Sequence, residues 1–262
     1  MSNKIITLTT DFGNLDSYVA SMKGVILSIS PLARIIDITH EIEPQRIVQA
    51  SIVMSTCTPY FPEGSIHMAV VDPGVGTDRA LLAVRCKTQV YLAPDNGLLG
   101  FILEKGCGSE VRKIENRDLF LPQVSRTFHG RDILAPVAAH LAEGVTFEEL
   151  GPEFTEFHPN IFPYPQRDDD TLRGEIIYRD HFGNLMTNIN REDMKDLDVD
   201  KLELECGYTK ISGLSQSYCD VEKGELLFLF GSAGYLEIAL REGSAANKLR
   251  FPLGTVVEIK EN

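Results

Sequence analysis

Several common signatures are missing from this sequence of 262 residues, and each absence narrows what the protein can do. There is no basic excess: 25 Lys and Arg stand against 38 Asp and Glu, a net charge of −13, which would repel a phosphate backbone. No apolar run approaches the roughly 18 residues of a membrane span, and the first residues lack the apolar core of a signal peptide. The sequence therefore predicts a cytoplasmic protein that binds neither nucleic acid nor membrane.

Cysteine is sparse as well, with five residues, no CxxC pair and no spacing suited to zinc. An odd number without such a pattern favours reduced thiols, in keeping with a cytoplasmic location. The phosphate-binding signatures GxGxxG and GxxxxGK followed by Ser or Thr are also missing. The sequence thus gives no indication of a loop that cradles a pyrophosphate.

The first part of the chain alternates β-branched runs with stretches of helical period. Such alternation predicts an α/β domain with a largely parallel sheet, which we place at residues 1–157. The predicted strands cover 4–10, 33–39, 65–71, 81–85 and 90–93, and the predicted helices cover 16–30, 45–61, 97–104 and 133–143.

The pattern changes at residues 158–171, where three prolines and an acidic run fit neither period and indicate a linker. Beyond it, short apolar runs are separated by Gly and Asp turns, and no long helical pattern follows. This predicts a smaller all-β, barrel-like domain over residues 172–262. Its strands are expected at 172–178, 202–206, 226–230, 235–239 and 255–260.

Three polar clusters follow apolar runs of the α/β part, where ligands of such sheets usually bind. Asp11 comes directly after the first strand and can cap the next helix or hold the hydroxyls of a ribose. Asp72 and Arg79 stand at the two ends of a Gly-rich loop that an ion pair could close. His129, beside a glycine at a helix start, is either structural or a group that titrates near neutral pH.

Two further interpretations stay open at this level. Asp72, Asp95, His129 and Asp132 are residue types that bind divalent metals, although their spacing matches no metal motif and Arg79 opposes a cation. In the β part, the polar segments 178–189 and 230–237 suit hairpin turns. They also contain an Asn and a Phe of the kind that read and stack on adenine.

Six motifs, taken in order, resemble the S-adenosyl-L-methionine hydroxide adenosyltransferases, relatives of the enzymes that fluorinate and chlorinate the same molecule. The resemblance spans essentially the whole chain. It rests on Thr10–Gly13, Asp72–Gly76, Ala93–Leu98, Phe128–Asp132, Asp180–Asn184 and Ser232–Glu237.

The resemblance implies that water or hydroxide attacks the ribose C5′ of S-adenosyl-L-methionine, which gives adenosine and L-methionine. It implies no cofactor beside this substrate and no resident metal. It also implies a homotrimer in which each site lies between the N-terminal domain of one subunit and the C-terminal domain of a neighbour.

The family's catalytic triad corresponds to Asp72, Arg79 and His129. Because a sulfonium is already a good leaving group, the chemical task is to deliver an oxygen nucleophile in line. Arg79 would favour the anionic nucleophile, His129 would relay its proton and Asp72 would orient both.

The resemblance also implies a set of substrate contacts. Asp11 would hold the ribose hydroxyls, and Phe128 and Phe182 would flank the sugar or base. Asn184 would read adenine. The methionine end would be held by Asp180 and Ser232 together with Asp16, Tyr235 and Glu237.

Three departures from the halogenating pattern bear on specificity. Gly130 stands where those relatives have a halide-contacting Ser, which favours hydroxide over halide. Gln45 replaces a Trp near the ribose, and Ala233 replaces an Arg that contacts the methionine carboxylate, so the carboxylate contact is not assigned. Two alternatives to the hydrolase remain: a halide-using adenosyltransferase of the chlorinating type, and a protein that binds adenosine or its sulfonium derivative without turnover.

Overall fold

The computed structural model describes residues 4–104, 110–168 and 171–261. The chain divides into two compact units, residues 1–162 and 163–262. The first unit is α/β and the second consists of β-strands, so the predicted fold class is confirmed.

The N-terminal unit is built on one six-stranded sheet with the order β2-β1-β3-β5-β4-β6. The β1–β2, β1–β3 and β3–β5 pairs are parallel, whereas β4 runs antiparallel to both of its neighbours. The strands are β1 (Ile5–Thr10), β2 (Arg34–Thr39), β3 (Ile66–Val70), β4 (Leu81–Cys86), β5 (Gln89–Pro94) and β6 (Glu110–Lys113).

Helices cover both faces of this sheet, because successive residues of a buried strand point to opposite sides. Ile6 and Leu8 of β1 join the core formed with the first and last helices, while the hydroxyl of Thr9 lies 3.3 Å from Met54 Sδ on the second helix. The helices are α1 (Tyr18–Ile29), α2 (Ile47–Cys57), α3 (Gly100–Leu103) and α4 (Ala135–Glu143).

The register of β1 and β3 positions the first two polar motifs. Thr10 is paired with Val70 at the carboxyl ends of the two strands. Asp11 follows Thr10 directly and Asp72 follows Val70 by two residues, so both carboxylates emerge at the same edge of the sheet.

The C-terminal unit is a nine-stranded sheet. Eight of its strands follow the order β11-β10-β15-β8-β9-β14-β13-β12, and the ninth, β7, pairs with β8. The end strands β11 and β12 are separated in the chain by Gly213 alone, so the sheet curls until its two ends meet and forms a nearly closed barrel. The strands are β7 (Gln166–Asp168), β8 (Thr171–Arg179), β9 (Leu185–Asn190), β10 (Leu202–Cys206), β11 (Thr209–Ser212), β12 (Leu214–Ser215), β13 (Leu226–Phe230), β14 (Tyr235–Leu240) and β15 (Val256–Glu261), with one short helix, α5 (Ala245–Leu249).

Several predicted elements differ from those in the structure. The helix expected at 97–104 is reduced to α3 and begins later than expected, because Gly97 has φ +88°, outside the right-handed helical region. The helix expected from residue 133 is preceded by a π-helical turn, Gly130–Leu134. Within the segment predicted as a linker, β7 pairs with β8, while residues 169 and 170 lie outside the described residues.

The expectation of reduced cysteines holds for three of the four cysteines that the structure describes. Cys57, Cys206 and Cys219 are free thiols, whereas Cys86 is disulfide-bonded. Over the described ranges, the helices are too short or too polar for any of them to cross a bilayer.

A buried histidine makes the stability of the N-terminal unit depend on pH. His67 on β3 is fully buried, its Nδ1 lies 2.8 Å from Thr7 Oγ1, and burial lowers its pKa to about 4. An exposed histidine in the unfolded chain titrates near about 6.5, so the unfolded state takes up a proton first as the pH falls. The contribution of neutral, buried His67 to the free energy of unfolding is therefore complete above about pH 6.5, and it is lost progressively as the pH falls to about 4.

We expect acidification from about pH 6.5 to about pH 4 to lower the free energy of unfolding more in the wild type than in His67→Asn, by up to about 3 kcal/mol. Urea unfolding at a series of pH values measures this difference. Parallel pH dependences for the two proteins would contradict the assignment.

Candidate active site

A cleft of about 410 Å³ opens at the carboxyl edge of β1 and β3 in the N-terminal unit. Its lining includes Asp11, Asp72, Phe128 and His129, four residues that the sequence assigned to one site. They come from three separate segments, which the strand register brings together.

Asp72, Arg79 and His129 form one continuous hydrogen-bonded group. Arg79 Nε lies 2.7 and 2.8 Å from the two carboxylate oxygens of Asp72, and Arg79 Nη2 also binds this carboxylate. The same Nη2 lies 3.1 Å from His129 Nδ1. With side chains only 9% and 7% exposed, Arg79 and Asp72 form an ion pair largely withdrawn from water.

The hydrogen-bond chemistry assigns the tautomer of His129. A guanidinium can only donate, so Nδ1 must accept and the proton of the neutral ring lies on Nε2. Burial lowers the pKa of His129, and the charge of Arg79 lowers it further, against the opposing effects of Asp72, Asp132 and a hydrogen bond to the backbone of Ser125. The ring is therefore neutral at pH 7.

The loop that carries Asp72 and Arg79 packs directly against the segment before His129. Gly76 has φ +83°, and a Cβ at this position would lie 2.7 Å from the carbonyl oxygen of Arg126. Only glycine combines that conformation with so close an approach. The Pro-Gly-Val-Gly sequence thus allows the two ends of the group to meet.

Asp132 anchors the turn that presents His129. Its side chain is fully buried and accepts hydrogen bonds from Ser125 N at 2.8 Å and Arg131 Nε at 2.6 Å. Ser125 Oγ in turn accepts from Phe128 N at 3.0 Å. The π-helical turn begins at the next residue after His129, as is common beside functional sites.

The opposite side of the cleft presents a carboxylate and an aromatic wall. Asp11 Oδ2 accepts from Gln45 N at 2.8 Å, and Oδ1 has no protein partner among the described residues. Phe12, Tyr18 and Phe128 contact one another with ring centroids 5.4 to 5.8 Å apart. A free carboxylate oxygen beside partly exposed aromatic side chains suits a sugar ring with vicinal hydroxyls.

Some residues that the sequence singled out lie elsewhere. Asp16 is exposed in the bend before α1 and is not part of the cleft lining. Asp95 accepts a hydrogen bond from His158 N at 2.7 Å. Over the described ranges, no group of three or more His, Cys, Asp or Glu side chains is placed to hold a metal ion.

In the C-terminal unit, Asp180 and Asn184 bind each other across a tight turn. The Asp180 carboxylate accepts from Asn184 N at 2.8 Å and from Asn184 Nδ2 at 2.9 Å. This arrangement is the hairpin chemistry that the sequence left open, and it fixes the Asn184 side chain in one orientation. Phe182, between them, is 75% exposed.

A second polar group lies on β14, where Glu237 is buried and accepts a hydrogen bond from the hydroxyl of Tyr218. Burial raises the pKa of Glu237, and the charge of Asp180 adds to this effect. Gly231 makes room for the carboxylate, because a Cβ there would be 2.3 Å from Glu237 Oε2. Ser232 is exposed at the tip of this hairpin, and Tyr235 is half-buried at the start of β14.

Sequence reasoning missed several residues of these two groups. Tyr18 lines the cleft, and Tyr218 binds Glu237. Tyr18 starts a helix and Tyr218 stands in a short polar segment, so neither carries a spacing that marks it. Only the contacts reveal them.

The N-terminal unit thus presents a withdrawn Asp–Arg–His group beside a cleft, and the C-terminal unit presents a fixed Asp–Asn turn. A titratable group of this kind beside a cleft is typical of an enzyme that acts on a small polar molecule. Comparison with known families then gives a specific assignment. The chain matches the SAM hydroxide adenosyltransferase N-terminal domain over residues 6–151 and the corresponding C-terminal domain over residues 174–258. The chain belongs to the SAM hydroxide adenosyltransferase family, as the motifs indicated.

Several curated relatives share most of their length with this chain. The (R)-S-adenosyl-L-methionine hydrolase of Methanocaldococcus jannaschii is 37% identical, over 97% of this chain and 95% of its own. The protein of that name from Salinispora tropica is 35% identical, over 93% of each chain. A fluorinase of Actinopolyspora mzabensis is 27% identical, over 98% of this chain and 97% of its own.

Two solved structures have the same fold. The crystal structure of an uncharacterised conserved protein from Thermotoga maritima matches with a TM-score of 0.90 and 39% identity, covering 98% of this chain and all of that one. A conserved hypothetical protein from Thermus thermophilus matches with a TM-score of 0.77 and 30% identity, over 98% and 99% of the two chains.

The electrostatics of the triad can be tested on the resting protein. Removing the positive charge in Arg79→Gln should raise the pKa of His129, whereas Asp72→Asn should lower it, because the two charges act on the ring in opposite directions. Titration of the histidine ring by NMR measures both changes. Shifts of the same sign in the two variants would contradict the charge assignment.

Proposed function

We propose that this protein hydrolyses (R)-S-adenosyl-L-methionine to adenosine and L-methionine. The observation that carries the proposal is the continuous Asp72–Arg79–His129 group beside a cleft that also holds Asp11. The names of the relatives at 35% and 37% identity support the substrate and its R configuration at sulfur.

In the proposed reaction, an oxygen nucleophile forms a bond to C5′ while the C5′–S bond breaks and its electron pair stays on sulfur. The sulfonium becomes a neutral thioether, so no acid is required at the leaving group. The difficulty lies with the nucleophile, because water is weak and hydroxide is scarce at neutral pH. The water loses its proton to solvent before the attack.

The triad would supply the environment for hydroxide. Asp72 occupies one side of the guanidinium and holds it in a fixed plane, so that Nη2 remains aimed at His129. The Nε2–H of the neutral ring then donates a hydrogen bond to the oxygen in the cleft. A preorganised donor of this kind stabilises a localised negative charge.

This tautomer bears on the relay role that the resemblance gives His129. Nδ1 is the basic nitrogen of the neutral ring, and it is occupied by Arg79. A relay through the ring would therefore have to break that bond first, whereas donation from Nε2 leaves it intact. We favour donation for this reason, with hydroxide as the attacking species.

The remaining residues would hold the substrate. Asp11 Oδ1 and the aromatic wall around Phe128 suit the ribose, and Asn184, fixed by Asp180, keeps Oδ1 and one N–H for adenine. Phe182 would stack on the sugar or base. Ser232, Tyr235 and Glu237, with Asp16 and Asp180, would hold the methionine end.

The structure also bears on the halide alternative. A Cβ on Gly130 would lie 3.1 and 3.3 Å from the two Cγ atoms of Val70, which is tighter than ordinary van der Waals contact. A serine at this position, as the resemblance implies for halide users, would require Val70 to move. The cleft is therefore better suited to hydroxide held by His129 than to a halide held by a serine.

We further propose that the protein is a cytoplasmic homotrimer with sites shared between subunits. The residues proposed to act on the nucleophile, Asp72, Arg79 and His129, all lie in the unit 1–162. The residues of the second unit proposed to contact the base, Phe182 and Asn184, lie in 163–262. A cyclic assembly, in which the first unit of one chain meets the second unit of the next, would complete three equivalent sites.

The reaction is tested by incubating the protein with each sulfur epimer in heavy-oxygen water that contains chloride. We expect adenosine labelled at its 5′-hydroxyl, formed faster from the R epimer, together with methionine. Unlabelled adenosine would exclude attack at C5′, and 5′-chloro-5′-deoxyadenosine as the main product would establish the halide alternative. No turnover of either epimer, with adenosine still bound, would favour the non-catalytic binder.

The shared site is tested by mixing two inactive variants. Arg79→Ala should lose turnover but still bind adenosine, because Arg79 acts on the nucleophile, and Asn184→Ala should lose binding. In random mixed trimers formed from equal amounts, about one quarter of shared sites combine two intact halves. We therefore expect about one quarter of wild-type activity to return, whereas sites confined to single chains would restore none.

A further inference from the structure

His40 occupies a buried position directly behind the segment that carries Asp11. It follows β2, its side chain is 3% exposed, and its Nδ1 lies 2.9 Å from Thr10 Oγ1. Sequence reasoning gave His40 no role, because it stands in no Gly-flanked or catalytic motif. Its contacts in the fold place it one residue away from the proposed ribose carboxylate.

The backbone and the side chain of His40 both bind this segment. Gly13 N donates to His40 O at 2.8 Å, and Phe12 N donates to Thr10 Oγ1 at 3.3 Å. The Thr10 hydroxyl thus connects the imidazole to the amide that follows Asp11. The turn from residue 10 to 13 is consequently held at both of its ends by one histidine.

A surface ion pair fixes the orientation of the His40 ring. Its Nε2 lies 3.0 Å from Asp37 Oδ1, and Asp37 Oδ2 lies 2.5 Å from Lys23 Nζ on α1. A carboxylate only accepts, so the nitrogen that faces it carries the proton. In the neutral ring Nδ1 is then the acceptor for the Thr10 hydroxyl.

The charges around Asp37 keep it ionised for this task. Burial by itself would raise the pKa of Asp37, but its contacts with Lys23 and His40 lower the pKa below its ordinary value. Asp37 is thus ionised at neutral pH, where it pairs with Lys23 on the surface and faces the buried ring of His40.

We propose that His40 is a positioning residue for the ribose: through Thr10 it fixes the 10–13 turn, so that Asp11 Oδ1 stays aimed into the cleft. This inference rests on the proposed function, because it takes Asp11 as the group that binds the ribose hydroxyls. Asp11 has one backbone partner of its own, Gln45 N, which holds Oδ2 only. The direction of the other oxygen therefore depends on the turn.

The fold provides a matched control in His67. Both histidines are buried, and both place Nδ1 against a threonine hydroxyl of β1, at 2.9 Å for His40 and 2.8 Å for His67. Thr7, the partner of His67, lies in the middle of the strand, whereas Thr10 adjoins the cleft. If the effect of a replacement comes only from disturbed core packing, replacing either histidine should weaken binding. If it comes from a misplaced Asp11, only the replacement of His40 should do so.

The test compares dissociation constants of adenosine and 2′-deoxyadenosine by calorimetry. The wild type should prefer adenosine, because the carboxylate of Asp11 can accept from both ribose hydroxyls. His40→Ala should weaken adenosine binding by about tenfold, the size expected from losing a well-placed hydrogen bond to a charged group. It should weaken deoxyadenosine binding less, so the preference shrinks.

Three further variants complete the design. Thr10→Val, which keeps the shape of the side chain, should reproduce the reduced preference, and the double variant with His40→Ala should lose no more than either one. His40→Asn, whose amide can accept the Thr10 hydroxyl, should retain most of the preference. His67→Ala should leave it unchanged in the folded protein.

An unchanged preference in His40→Ala, or an equal loss in His67→Ala, would overturn the positioning role. These binding readouts are separate from hydrolysis. A wild type that binds adenosine with this preference but does not cleave the sulfonium would refute the proposed reaction and leave the role of His40 standing. A wild type without preference for adenosine would overturn the role of His40 even if hydrolysis occurs.

Discussion

The parallel pairing of β1 with β3 is the constraint on which the site depends. It sets Thr10 opposite Val70, so Asp11 and Asp72 leave the sheet at the same edge. In a parallel sheet a shift of one residue would turn the side chains of β1 to the opposite face. The cores on both faces prevent this, because Ile6 and Leu8 fill one side while Thr7 and Thr9 meet partners on the other. The precision of the cleft is thus a consequence of how the sheet is packed.

Around that edge, carboxylates order the groups that face the cleft. The guanidinium of Arg79 is neutralised by Asp72 and still directs one nitrogen to His129, which leaves a neutral imidazole with a defined proton position. On the other side of the cleft, Asp37 and His40 form a comparable ordered contact behind Asp11. In both places a carboxylate, Asp72 or Asp37, orients a neighbouring side chain, Arg79 or His40. That neighbour then orients the group beside the cleft.

Much of this organisation could be predicted from the sequence, because hydrophobic period and turn residues are local properties. The α/β and β parts and most of the strands were predicted in this way. The grouping of Asp72, Arg79 and His129 came instead from the resemblance of the ordered motifs to a known family. The prediction was wrong where local pattern competes with tertiary contact. The helix expected at 97–104 begins only at Gly100, because Gly97 adopts a positive φ. Leu81–Cys86 has the composition of a parallel strand but runs antiparallel, since strand direction depends on the connections.

The sequence by itself determined which candidate functional groups this protein has: Asp72, Arg79 and His129, the carboxylate of Asp11, the Asp180–Asn184 segment, and an acidic balance without tryptophan. This is because the type of each residue and the order of the motifs along the chain can be read without knowledge of the fold. Only the tertiary structure decided how these groups bind one another. The Nδ1 of His129 accepts from Arg79, Tyr218 binds Glu237, and His40, unmarked in the sequence, holds the turn of Asp11. Such pairings join residues far apart in the chain, and their hydrogen-bond directions are fixed by distance and burial, which no local pattern encodes.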